Sequence, residues 1–382
     1  MRLLARFRGF VPVLLLAACA SEGALRVEDE PAHQESAASD APFAWRLPRG
    51  FPKPPVPADN PMSVAKVALG RRLFYDPRLS GNQTFSCATC HKQERAFADE
   101  HPVGVGATGE LHTRGAMSLA NIAYNPTLTW GNPQVTSLER QAEVPLFGTH
   151  PVELGMQSAE EVEARLRDEP LYEPLFRAAF PGDPSPVVMV NVTRAIAAFE
   201  RTLISGTAPY DQWLAGDAEA LSASAQRGFF LFNSEKLECF HCHQGVNFTD
   251  HFVFEGQAFR RAPPFHSTGL YDVDGAGSYP APNTGVHSVS NRLEDMGMFK
   301  APTLRNIALT APYMHDGSLK TLSDVLDHYA AGGRARSART DPLMIGFALT
   351  GEERADVIAF LESLTDRAFV TDPAFADPWA RD

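Results

Sequence analysis

Hydrophobic positions in this chain recur mostly at helical spacing. Val192, Ile196, Phe199 and Leu203 share one face, and Ser205-Gly206 stops the run. Thr350 and Glu353 form a capping box that opens a helix whose Val357, Phe360, Leu361 and Leu364 make an i, i+3, i+4, i+7 stripe. Ser158 with Glu161 and Thr321 with Asp324 make two further boxes. After the last of these, Leu322, Val325, Leu326 and Tyr329 line one face, while His328 sits about 100° around the helix from Tyr329 and points elsewhere. Loops such as 244–298, rich in Gly, Pro, Asn and Asp, carry no sustained period. The pattern predicts an all-α fold with long connecting loops.

The N-terminus follows a different pattern. Arg2, Arg6 and Arg8 precede an apolar run, Phe10 to Ala18, that is too short to span a bilayer and has the cationic flank of a secretory signal. The run ends Leu16-Ala17-Ala18-Cys19, which resembles the lipobox of bacterial lipoproteins and implies lipidation at Cys19. Residues 20–43 are polar, acidic and aperiodic, as in a flexible tether. The expected organisation is a signal peptide over 1–18, a tether over 19–43, an N-terminal domain over 44–215, a C-terminal domain over 216–367 and a tail over 368–382. The body is then expected on the periplasmic side of a bacterial membrane, held there by a lipid anchor.

Composition narrows the function. The 382 residues carry a formal charge of −12, and loss of the three leading arginines makes the mature chain more negative still, which argues against nucleic acid as a partner. Cysteine is scarce, at five, and four of the five fall in two copies of one motif. These are Cys87-Ala88-Thr89-Cys90-His91 and Cys239-Phe240-His241-Cys242-His243, each preceded by Gly-x-x-Leu-Phe, at Gly70–Phe74 and Gly228–Phe232. About 0.002 C-x-x-C-H matches are expected by chance at this composition, so the repeat marks an internal duplication. Two thiols three residues apart can form thioethers to the vinyl groups of a haem, and the following histidine then faces the iron. Zinc would need a fourth ligand at each site, and a disulfide would not require His91 and His243 at the same offset. Two covalently bound haem c groups, one per domain, are expected.

With these motifs, Phe299-Lys300-Ala301-Pro302-Thr303-Leu304-Arg305-Asn306 and Thr310-Ala311-Pro312-Tyr313-Met314-His315-Asp316-Gly317 resemble the bacterial di-haem cytochrome c peroxidase and MauG superfamily over nearly all of the mature chain. Trp45 to Pro52, Asp59 to Ser63 and Leu128 to Asn132 are most similar to its MbnH-type branch. The resemblance implies two cytochrome c-like haem domains wrapped by long loops. His91 would be proximal at a high-spin haem that meets hydrogen peroxide, and His243 would hold a low-spin haem. Gln141, Pro145 and Glu153 match the distal pocket, with Glu153 moving the peroxide proton, although the Gln141–Glu153 interval is two residues longer than in standard peroxidases. Trp130 matches an aromatic relay between the haems. Thr310 and Pro312 match carbonyl ligands of a calcium ion, whose asparagine ligand is replaced by Gly115. Tyr329 matches the tyrosine that ligates the low-spin iron in MauG, where ordinary peroxidases have methionine, and Met296, Met298 and Met314 are the alternative ligands. The surface tryptophan that precedes the second motif in MauG is Leu237 here, and His101 and His112 stay unassigned.

The implied activity is peroxide-driven formation of high-valent haem iron that oxidises a periplasmic partner protein, on this branch a tryptophan of a copper-binding partner. The alternatives are peroxide reduction with electrons from a small cytochrome, and a non-enzymatic electron carrier. Mass spectrometry of the mature N-terminus is expected to find lipidated Cys19 as the first residue. An unmodified end, or cleavage well past Cys19, would rule out the anchor.

Overall fold

Gly70 and Gly228, the first residues of the duplicated Gly-x-x-Leu-Phe segments, explain how each half is built. A Cβ on Gly70 would lie 1.8 Å from the Ala195 carbonyl oxygen, and one on Gly228 would lie 1.9 Å from that of Asp356. The two glycines therefore let helix Val64–Phe74 close on helix Met189–Glu200, and helix Ala223–Phe232 close on helix Gly351–Glu362, backbone against side-chain-free backbone. Four residues beyond each contacted carbonyl stands a phenylalanine, Phe199 or Phe360, and both are fully buried. The same two-helix unit is thus built twice.

The computed structural model describes residues 43–257, 262 and 264–380, which belong to one compact unit. Cys19, the signal segment and nearly all of the tether lie outside the described residues. The fold is all-α, and among the described residues only isolated β-bridges accompany the helices. No described helix is long and apolar enough to cross a membrane.

The stripes lie where the spacing puts them. Val192, Ile196, Phe199 and Leu203 are all at most 1% exposed in a core with Leu69, Leu73, Phe74 and Phe176. The helix itself ends at Glu200, earlier than Ser205-Gly206, because the chain turns at Thr202 and the N–H groups of Gly206 and Thr207 bond Asp366 Oδ2, both at 2.9 Å. Val357, Phe360, Leu361 and Leu364 pack with Tyr210, Phe232, Phe248 and Leu326 in a second core. The boxes at Thr350 and Thr321 are both complete. At Ser158 the reciprocal bond shifts by one residue, with Glu161 Oε2 accepting from Gln157 N at 3.0 Å.

Residues 368–380 pack against the first half of the chain. Phe369 and Val370 enter the first core, the Tyr75 hydroxyl donates to the Phe375 carbonyl at 2.7 Å, and Trp379 Nε1 donates to the Arg72 carbonyl at 3.1 Å. Burying an aromatic or aliphatic side chain of this size contributes roughly 1.5–3 kcal/mol, so this segment adds materially to the first half's stability.

Gly228→Ala is expected to destabilise the fold by about 1–3 kcal/mol or more through overpacking against Asp356, read as a lower denaturant midpoint. Gly351→Ala, where an added methyl meets nothing within 4 Å, is expected to leave the midpoint unchanged or raise it.

Candidate functional site

Both motif histidines are oriented by the same device. Phe97 and Phe248 adopt left-handed backbone conformations, with φ of 61° and 49°. Such conformations cost about 1–3 kcal/mol in a residue with a bulky side chain. They turn the Phe97 carbonyl onto His91 Nδ1 at 2.8 Å and the Phe248 carbonyl onto His243 Nδ1 at 3.1 Å. A carbonyl only accepts, so Nδ1 carries the proton and Nε2 keeps its lone pair, the tautomer that a metal-ligating histidine needs. Backbone bonds close each loop, Phe97 N to Lys92 O at 2.8 Å and Asp250 N to Cys242 O at 2.8 Å. Burial lowers the pKa of both imidazoles and keeps them neutral.

Around the second motif the chain forms a largely apolar cavity. Cys239, Cys242, His243 and Tyr329 line it, together with Leu322, Val325 and Leu326 from the same helix face as Tyr329. Val357 and Leu361 complete that wall. Burial, and then the neighbouring Cys242 and Cys239, push the Tyr329 phenol well above its usual pKa. His328 turns away, as its position on the helix requires, and its Nδ1 accepts from Arg334 N at 3.1 Å. Of the three alternative methionines, Met314 lines the cavity, as does Met344, which has no sequence signature. The four motif cysteines are not disulfide-bonded. Paired thiols, a neutral histidine with a free Nε2 and an apolar wall fit a haem bound through C-x-x-C-H.

Trp130, Gly115, Thr310 and Pro312 reach the same cavity. Trp130 Nε1 donates to the Gly115 carbonyl at 2.9 Å, which fixes the indole, and Lys300 N donates to the Trp130 backbone carbonyl at 3.0 Å, which ties the residue to the second half of the sequence. The Thr310 and Pro312 carbonyls accept no hydrogen bond among the described residues, which leaves hard oxygen donors available to a cation.

Cys87, Cys90 and His91 of the first motif do not line that cavity; Cys87 packs in the first core with Ala142 and Leu146 of helix Leu138–Phe147, the helix that carries Gln141 and Pro145. Gln141 and Pro145, one turn apart on helix Leu138–Phe147, share a face. The Pro145 carbonyl accepts from Leu154 N and the Leu146 carbonyl from Met156 N, both at 2.9 Å, which aligns the Glu153 segment along the helix. Gly106 makes room on the other side, where a Cβ would stand 1.8 Å from the Val152 oxygen. Burial raises the Cys90 thiol to about 11, with the charges of Asp99 and Glu153 adding to it, so the Glu153 carboxylate stands close to the first motif. Desolvation lifts Glu153 itself to about 6.

Three features had no sequence signal. His112 Nε2 lies 3.7 Å from Glu153 Oε1. His266 is clamped between Asp250 and Asp341 at 2.7 Å each, and the two carboxylates overcome its burial to push it up to about 12. Lys300 is buried beside the cavity and is lowered by desolvation to about 7. Each of these depends on partners brought from distant loops. His101, by contrast, is over half exposed and bonds Asp99.

The fold and its two motifs define a di-haem c-type cytochrome. Residues 64–219 match the family described as di-haem cytochrome c peroxidase. The chain is 38% identical to the methylamine utilization protein MauG of Methylorubrum extorquens, over 90% of this chain and 88% of that protein. It is 36% identical to the cytochrome-c peroxidase IdrP1 of Denitromonas iodatirespirans, over 90% and 91%. The crystal structure of a MauG-like protein associated with microbial copper homeostasis superposes with a TM-score of 0.85 at 48% identity, covering 88% of this chain and all of that one. The chain belongs to the di-haem cytochrome c peroxidase and MauG family, and it is a peroxide-dependent oxidoreductase, not a passive electron carrier.

Proposed function

We propose that this enzyme is a MauG-type oxidase that uses hydrogen peroxide to oxidise a partner protein outside the cytoplasm, held at a membrane by lipidated Cys19. The observation that carries this reading is Tyr329, which reaches the cavity of Cys239, Cys242 and His243 from a helix whose whole apolar face lines it. A phenol oxygen is a harder donor than a thioether and favours higher oxidation states, whereas methionine suits electron acceptance. Met314 and Met344 in the same cavity support the second reading, a peroxidase fed by a small cytochrome.

Cys87 and Cys90 would hold one haem covalently with His91 on its iron, in the domain over 44–215. Cys239 and Cys242 would hold the other, with His243 and Tyr329 as ligands, in the domain over 216–367. Once bound, the haems would supply an iron that binds peroxide and a store for two oxidising equivalents. Glu153 takes the proton from the nearer peroxide oxygen and returns it to the departing one, which leaves as water. Its raised pKa suits both halves of this transfer at neutral pH. His112 stands behind the carboxylate, and Gln141 and Pro145 shape the pocket wall. Trp130 relays electrons between the two sites, and the Thr310 and Pro312 carbonyls hold calcium beside it. The tryptophan of a copper-binding protein is the proposed target, supported by the similarity to the copper-associated MauG-like protein.

The base form of Glu153 grows as pH rises through about 6, so the rate of reaction with peroxide is expected to rise over that range and then level. Glu153→Gln is expected to remove the rise and slow the reaction roughly 10²-fold, with both ferric haem spectra kept. Stopped-flow absorbance against pH checks both. Tyr329→Phe is expected to change the low-spin ferric spectrum and shorten the life of the peroxide product; if both persist unchanged, Tyr329 is not the ligand.

A further inference from the structure

Oxidation of a partner too large to enter the protein needs a path for electrons from the surface to the buried haems. Leu237, two residues before the second motif, is buried and aliphatic and offers none. Two aromatic routes lead outward from Phe248 beside the second motif: one passes through Phe360 and Phe229 to the exposed Phe230, and the other ends on a tryptophan, the more easily oxidised ring. Phe248, whose carbonyl holds His243, packs edge-on against Tyr210 at 5.2 Å between ring centroids. Tyr210 lies 6.3 Å from Trp213, one turn further along helix Pro209–Leu214. Trp213 is half-buried, and the next residue, Leu214, is 59% exposed.

The protein has four tryptophans, and the other three do not suit the outer end of such a path. Trp379 sits under the guanidinium groups of Arg72 and Arg78, at 5.7 and 5.6 Å, and two cations over one ring oppose the loss of an electron from it. Trp45 pairs with Phe43, and among the described residues no aromatic contact leads from that pair to either motif. Trp130 lines the interior cavity. Along the Trp213 route Arg305 lies over Phe248 at 5.6 Å with its charge balanced by Asp211 at 2.5 Å, and Arg49, which bonds the Ala215 carbonyl at 3.1 Å, makes no cation–π contact with Trp213 among the described residues. A phenol must lose its proton to stay oxidised, so Tyr210 is assigned the bridging position and not the site where the radical rests. An indole can give up an electron first.

We infer that Trp213 is the surface relay through which a donor protein delivers electrons to the second haem, by way of Tyr210 and Phe248. This rests on the peroxide-dependent reading above. In each pass one electron leaves Trp213 inward, and the donor returns one electron to the indole. Two passes supply the two electrons that, with two protons, convert one peroxide into two waters. Trp213 acts on the donor and not on peroxide.

The test uses the holoenzyme with both haems, its Trp213→Phe and Trp379→Phe variants, and reduced cytochrome c as the protein donor. After peroxide without donor, peptide mass mapping of the wild type is expected to find an added oxygen on Trp213. With donor, Trp213→Phe is expected to slow cytochrome oxidation about tenfold or more, while its spectral response to one equivalent of peroxide stays intact. Trp379→Phe should change neither. A wild-type rate in Trp213→Phe, or no added oxygen on wild-type Trp213, overturns the relay; the second result decides even if the variant fails to take up haem. A wild type whose spectrum does not respond to peroxide overturns the peroxide reading itself, and with it the relay.

Discussion

A single hydrogen bond to the Nδ1 of each motif histidine organises the structure around it. His91 and His243 can present Nε2 to an iron only while Nδ1 is occupied by a carbonyl, and that carbonyl comes from a phenylalanine in an unfavourable backbone conformation. The conformation persists because its surroundings over-determine it. The Phe97 ring is fully buried and contacts Phe74 and Phe369, while Phe248 lies in the core with Tyr210, Phe232 and Phe360. Arg305, 1% exposed, donates Nε and Nη2 to the Val246 carbonyl at 2.8 and 2.6 Å and so pins the second loop directly.

The two halves share this device and the glycine-mediated helix pair beneath it, yet their surroundings differ in ways that separate their chemistry. Beside the first motif stands Glu153, a carboxyl whose partial burial brings its titration toward neutrality. Beside the second stand Tyr329 and an apolar wall. The proposed division of labour follows this difference: proton exchange with a small oxidant is assigned to the first half, and electron transfer through aromatic rings to the second. The C-terminal segment adds to the asymmetry, since Phe369 and Trp379 brace the first half alone.

Much of this was legible in the chain. The repeated C-x-x-C-H and Gly-x-x-Leu-Phe segments are local, and local spacing determines which residues share a helical turn. The stripes at Val192 and Val357 also followed from periodicity, because a helix repeats every 3.6 residues wherever it is packed. The end of the helix at Glu200 did not follow, since it depends on Asp366, over 160 residues later, accepting the N–H groups of Gly206 and Thr207. Likewise His112 against Glu153, and His266 between Asp250 and Asp341, join residues from separate loops whose own sequences carry no period.

The sequence by itself determined the helical class, the duplication, the C-x-x-C-H spacing of the two motifs and the face from which Tyr329 projects, because each depends on residues within a turn or two of one another. Tertiary structure alone decided which carbonyl holds each histidine, how far Glu153 is desolvated, which methionines share the cavity with Tyr329 and where an aromatic path reaches the surface. Those are properties of distance and dielectric between segments far apart in the chain, and no local pattern encodes them.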